Sequence, residues 1–364
     1  MQASKEWSNR PEDQRFTSLY DLQDFKRNQR RRSAGKVVSS RHLQAIPSDN
    51  PGDHKSLYIE GPNGIPVEPT NWAFGQLSQL AGAPASYLRT LPAPMAADCL
   101  NYGLKYERDI SDIGVLVEAD ETGTTKYLRA ATGPRYGRIW DYDIVDSLVH
   151  KFGDGVTGQW TVPGEFGKSL DVVTKANTTL FASDRDMFVF LADEHNRIEL
   201  PNRRDGKPGQ LSRGFFVWNS EVGDKTIGAA FFLFDYVCAN RIVWGAEQYK
   251  EIRLRHTVSA PDKWLEEISP VLIEYSNSAA STVENHLRQA QESKVDNVTE
   301  FLTKRYGKAK ASQYEAAFER EEGKPMESLW DITTGMTAYA KTLNNTDNRV
   351  DVEREAGKVL AMAG

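Results

Sequence analysis

The chain has 364 residues, of which 39% are hydrophobic and 26% charged, with a net charge of −6; this is the composition of a globular protein able to bury a core. No stretch approaches the roughly 18–20 apolar residues that span a bilayer, and the opening MQASKEWSNRPEDQRF lacks the apolar centre of a signal peptide, so no membrane association and a cytoplasmic setting are expected. Only two cysteines occur, Cys99 and Cys238, which excludes a disulfide framework or a cysteine-rich zinc module.

Residues 1–56 read as an extended basic arm. Phe16, Leu19, Leu22 and Phe25 recur at helical spacing and lead into Phe25–Arg41, which holds seven basic residues and no acidic one. Such a block suits an interaction tail drawn to phosphates or to an acidic partner, or else a solvated leader. Ser48–Pro69 is rich in Pro and Gly and predicts turns. Trp72, Phe74, Leu77 and Leu80 mark a helix stopped near Gly82-Ala83-Pro84, followed by short helices over Ala85–Leu91 and Pro94–Lys105.

The period then changes. Ile113–Glu118 and Thr125–Ala131 predict a hairpin around Asp120–Gly123. Gly133–Arg138 is a turn before a helix over Asp141–Lys151, capped by Asp141 or Asp143, with Ile144, Val145, Leu148 and Val149 inward. Strands are expected at Gln159–Val162, Ser169–Ala176, Thr178–Ser183, Met187–Leu191, Phe215–Asn219 and Thr226–Phe232, the last either a strand or a segment that converts to helix before Cys238, with Asp193–Arg213 as a long polar loop. After Pro261 the apolar stripe Trp264, Ile268, Val271, Tyr275, Ala279, Val283 and Leu287 is helical, and helices follow around Asp296–Tyr306, Ala309–Glu321, Met326–Thr342 and Asp347–Met362. These elements predict an α+β fold, with a central, mostly antiparallel sheet and flanking helices. The expected divisions are the arm 1–56, an α+β core domain 57–261 and a helical C-terminal region 262–364.

Motifs of catalysis are sparse. The six histidines, at 42, 54, 150, 195, 256 and 286, include no i,i+4 pair and have no cysteine at zinc-finger distance, so no metal site of His and Cys is expected. Asp184 and Asp186 flank Arg185, with Glu221 and Asp235 further on; they suit either Mg²⁺ or ion pairs with neighbours such as Arg185, and the ion pairs weigh more. Cys238 with His256 as base and Asn240 as orienter would make a nucleophile, but a thiol between Phe234, Tyr236 and Val237 also suits an inert buried position. There is no GxSxG elbow, Walker A loop or GxGxxG between strand and helix. Neither a cofactor nor a catalytic residue is predicted.

What recurs is arginine and lysine beside aromatics: Lys126-Tyr127-Leu128-Arg129, Arg135-Tyr136-Gly137-Arg138 with Trp140, Arg241 with Trp244, and Tyr249-Lys250 before Arg253 and Arg255. A basic groove with aromatic faces holds single-stranded nucleic acid through phosphate attraction and base stacking. The candidate binding residues are Arg30, Arg31, Arg32, Arg135, Tyr136, Arg138, Arg203, Arg204, Arg241, Lys250, Arg253 and Arg255. Each also suits an ordinary sheet surface, and recurrence together with the basic block is what favours the nucleic-acid reading.

SDRDMFVFLADEH, then RGFFVWNSEVGDKTIGAAFFLFDYVCANRIVWG, with RYGRIWDYDIVDSL upstream and WDITTGMTAYAKTLNNTDNRVDVEREAGKVL at the end, resemble the phage/plasmid-like family that carries a domain of unknown function. The resemblance runs from about Trp72 to Gly364 and leaves the arm outside. It departs from the family at Asn240-Arg241, where relatives carry Asn-Gly. The resemblance implies a bacteriophage, prophage or plasmid setting in a bacterial host and carries no reaction with it. Two roles follow. One is single-stranded DNA binding or annealing by a homo-oligomer. The other is a protein-interaction role, against a host defence or within a phage assembly, with a host or phage protein docked on the basic arm.

Overall fold

The computed structural model describes residues 10–49, 56–106, 112–164, 172–200, 209–235, 240–242, 251–278 and 281–363. Strand β1 (Arg15–Phe16) leads into helix α1 (Leu19–Arg32), which Ser18 caps by accepting from the Asp21 amide at 3.1 Å. Strands β2 (Ser33–Ser39), β3 (Gln44–Pro47), β4 (Leu57–Glu60) and β5 (Pro66–Pro69) follow. Helices α2 (Asn71–Leu80) and α3 (Ala93–Tyr106) flank the helical turn Ala85–Leu88. The hairpin β6 (Asp112–Ala119) and β7 (Lys126–Thr132) precedes helix α4 (Asp141–Phe152).

The second half opens with β8 (Trp160–Thr161), β9 (Leu180–Ala182), β10 (Met187–Asp193), β11 (Ile198–Leu200), β12 (Gly209–Asn219), β13 (Ile227–Asp235), β14 (Asn240–Ile242) and β15 (Ile252–Leu254). It closes on α5 (Ser269–Asn277), α6 (Ser281–Glu292), α7 (Val298–Tyr306), α8 (Lys308–Glu322), α9 (Leu329–Ala340) and α10 (Thr346–Leu360).

The fold is α+β, and its strands form two sheets. Sheet 1 is antiparallel, in the order β1-β9-β10-β12-β13-β14, with β8, β11 and β15 beside β10, β12 and β13. Sheet 2 runs β2-β6-β7-β5-β4-β3, with β5 and β7 its parallel pair. Both faces of the centre of sheet 1 are covered. Met187, Val189, Leu191, Phe215, Val217 and Phe231 face a core shared with α1, α4 and α5. Phe188, Phe190, Phe216, Trp218 and Phe232 face the opposite side, where Val350 of α10 closes over them. Two-sided burial removes any alternation of polar and apolar residues, which is why these strands read as continuous apolar runs. Sheet 2 packs one face on α2 and α3.

Several expectations are corrected. The residues of the basic arm that the structure describes are folded into both sheets. Phe16, Leu19 and Leu22 lie in the core of sheet 1, and β2 pairs along its whole length with β6. The apolar stripe that opens α1 therefore has a sheet to pack on. The expected loop Asp193–Arg213 contains β11 and the first half of β12, which pair with each other; Arg213 is polar in sequence but its charge is met by Asp193 at 3.3 Å, so the strand tolerates it. Residues 172–176 of the expected strand Ser169–Ala176 form a turn instead, fixed by Asn177 accepting from the Thr174 amide at 2.6 Å; residues 165–171 lie outside the described residues.

Gly214 and Gly228 make room for rings across the β12–β13 ladder, where Gly214 pairs with Phe232 and Gly228 with Trp218. A Cβ on Gly214 would stand 2.2 Å from the Phe232 ring. Gly214→Ala is expected to lower stability by about 1–3 kcal/mol, because a full core has nowhere to send the ring. Urea unfolding measures it, and an unchanged midpoint would mean that Phe232 turns away freely.

Candidate nucleic-acid interface

The corner after β12, Asn219-Ser220-Glu221, is buried and organises its surroundings. The Asn219 amide nitrogen donates to the Ile139 carbonyl at 2.9 Å and to Asp141 Oδ1 at 2.7 Å. Ser220 Oγ donates to the Arg185 carbonyl at 2.6 Å and accepts from the Asp224 amide at 3.0 Å. Glu221 Oε1 accepts the Asp141 amide at 2.9 Å, and its Oε2 accepts from Arg129 at 2.8 Å. Glu221 thus caps α4 from another part of the chain, where a carboxylate also meets the positive end of the helix. Asp141 and Asp143, the expected caps, make no such bond, since the N-cap position is Trp140.

From this corner an ionic network crosses the molecule. Arg129 Nε lies 3.2 Å from Glu118, which also meets Arg32 at 3.3 Å and accepts from Gln29 at 3.1 Å. Lys26 of α1 reaches Asp141 at 2.9 Å and donates to Gln29 at 3.0 Å. Burial works to raise both central carboxyls. At Glu221 the Arg129 and Lys26 charges overcome it and hold the group below the ordinary range, whereas at Asp141 burial prevails over Lys26 and the group is raised.

Two segments expected independently to contact phosphate are docked on each other beside this corner. The Gly137 amide donates to the His256 carbonyl at 3.0 Å, and His256 Nδ1 donates to the Gly137 carbonyl at 3.0 Å. The Tyr136 and His256 rings stack with centroids 4.8 Å apart. Gly137 is needed here, since a Cβ would stand 1.7 Å from the Thr257 carbonyl oxygen. Arg135 and Arg255 are exposed, and neither makes an ion pair among the described residues. Arg253 lies over the Trp218 ring at 5.8 Å, Arg354 over the same ring at 5.6 Å, and Glu251 pairs with both guanidinium groups. Phe188, Trp218, Lys225, Arg253, Asp351 and Arg354 line a cavity of about 310 Å³.

The remaining expected site residues divide. Arg138 donates to the Glu221 carbonyl and Tyr136 donates to the Ser220 carbonyl at 2.8 Å; burial lowers the Arg138 pKa and raises that of Tyr136, so both side chains serve the fold. Arg30 pairs with Asp143 and lies over Trp140 and Tyr142, and Arg32 is engaged by Glu118, while Arg31 is exposed. Arg203, Arg204 and Lys250 lie outside the described residues, as does the side chain of Arg241, whose backbone is in β14. Cys238 also lies outside them. Asp184 is exposed, and Asp186 is buried against Arg10 at 2.9 Å. Burial works to raise the Asp186 carboxyl, but Arg10 and Lys225 hold it below the ordinary range.

Sequence reasoning missed Lys26, Lys225 and Arg354. The signal for Lys26 was its place on the stripe Leu19, Leu22, Gln23, Lys26, Gln29, the buried face of α1. Lys225 and Arg354 stand alone in sequence. In comparisons with protein-family models, curated proteins and solved structures, nothing matches the chain. No helix among the described residues is long and apolar enough to cross a membrane.

Arg129→Met leaves Glu118 and Glu221 facing each other across a buried gap. It is expected to cost about 3–5 kcal/mol, much of which the double variant Arg129→Met/Glu221→Leu recovers. Urea unfolding of both decides it, and a single variant within about 1 kcal/mol of wild type would remove Glu221 as the organising charge.

Burial lowers the His256 pKa, against the opposing effect of the Gly137 carbonyl. The unfolded chain therefore binds the proton more tightly, and stability falls as pH drops below the ordinary imidazole value of about 6.5, down to the lowered folded value. The melting temperature is expected to decline over that window in wild type and to flatten in His256→Gln; an equal decline in both would place the titration elsewhere.

Proposed function

We propose that this protein is a phage- or plasmid-encoded nucleic-acid-handling protein that holds single-stranded DNA without catalysis. The observation that supports this most is the gathering of Arg135, Arg253 and Arg255, from two distant segments, onto one docked turn next to the Arg253–Trp218–Arg354 cluster. The guanidinium groups of Arg135 and Arg255, without an ion-pair partner among the described residues, attract phosphates and release counterions. Arginines held over an aromatic ring offer a flat, cationic surface to a base. Annealing asks for more: several copies must present strands with their bases free, so the sharper form of the proposal requires a homo-oligomer.

Fluorescence anisotropy with a labelled oligo(dT) at two salt concentrations tests the reading. Binding is expected to weaken steeply with salt, and Arg135→Ala/Arg255→Ala should lower the slope of log affinity against log salt by about 0.7 for each phosphate that is no longer neutralised. Absence of salt-sensitive binding at micromolar protein overturns the proposal. Light scattering that returns a monomer would remove annealing and leave strand binding.

A further inference from the structure

Sheet 2 has a cavity of its own, of about 320 Å³. Val38, Leu43, Ile59, Val67, Val115 and Leu128 belong both to the core that α2 and α3 cover and to the wall of this cavity. The helices therefore leave part of an apolar sheet face unfilled. The volume falls within the range of small-molecule sites, about 300–1,000 Å³.

The rim is cationic. Arg32, Lys36 and Lys126 line the cavity, and no Asp or Glu among the described residues does. Neither lysine makes an ion pair among the described residues. Arg32 spends one end of its guanidinium group on Glu118 at 3.3 Å, yet its Nε is buried without a hydrogen-bond partner among the described residues. A buried donor without an acceptor is unfavourable, and an anion at the rim would satisfy it.

We infer that this cavity binds a small anionic amphiphile, its apolar body against the valines and leucines and one carboxylate or phosphate head against Arg32, Lys36 and Lys126. Apolar walls favour a body that water rejects, and three cations, of which only Arg32 has a carboxylate beside it, select a negative head through charge-assisted hydrogen bonds. A nucleic-acid strand, polar along its length, gains little here, so the site is separate from the proposed DNA-binding strip.

Isothermal titration calorimetry with decanoate, decyl phosphate and decanol, each kept below its aggregation limit, tests the inference. Both anions are expected to saturate a single site and to bind at least about tenfold tighter than decanol. Whichever anion binds more tightly identifies the head. Lys36→Ala/Lys126→Ala should weaken both anions by about tenfold and leave decanol unchanged; Lys36 is exposed and Lys126 half-buried, so the variant keeps the fold. Ala34→Trp, placed on the exposed cavity wall, should block all three. The inference is overturned if neither anion binds saturably, if decanol matches them, or if the lysine variant binds the anions unchanged.

Discussion

Glu221 is the charge on which the arrangement of the two sheets depends. A carboxylate taken out of water is unfavourable by several kcal/mol unless it is fully met. Here one oxygen is met by Arg129 of sheet 2 and the other by the first amide of α4, while its own backbone carbonyl takes Arg138. Three elements from distant parts of the chain must therefore arrive together, and an arrangement that lacks any of them leaves a buried charge exposed to a low dielectric. Hydrophobic cores on each sheet supply the bulk of the driving force without specifying how the sheets meet. The network specifies that.

The same corner sets the surface. Ser220 and Glu221 hold the side chains of Tyr136 and Arg138 inward, which fixes the turn that carries Arg135 outward. His256 then docks on Gly137 and brings Arg253 and Arg255 alongside. Buried and exposed arginines within one short segment thus have different work: Arg138 orients the turn and Arg135 is what the turn presents.

Much of the fold was legible because its signals are local. The hairpin β6–β7, helix α4 and the C-terminal helices announce themselves through period and turn chemistry. The misreadings have a common physical cause, a partner distant in sequence. A basic block looks like a free arm until Asp143, Asp141 and Glu118 are found opposite Arg30, Lys26 and Arg32. The loop before Phe215 looks too polar for a strand until Asp193 is found beside Arg213. In the candidate site, Arg135, Arg253 and Arg255 were legible as cations near aromatics; Arg354 was not, because its ring, Trp218, lies far away in sequence.

The centre of sheet 1 is buried on both faces, so β10, β12 and β13 carry unbroken apolar runs there, and a charged residue inside a strand such as Arg213 is admitted with its partner Asp193. Asn219, Ser220 and Glu221 follow directly on one such run, where the chain leaves the core and meets sheet 2. On the proposed reading, Glu251 stands between Arg253 and Arg354 where a phosphate would stand, and the two guanidinium groups stay over Trp218 in the absence of DNA. Strand binding there is then an exchange of one anion for another on a preformed cationic surface. Such an exchange adds little net charge attraction at that point, and Arg135 and Arg255, unpaired among the described residues, supply the long-range pull that Glu251 cancels nearby.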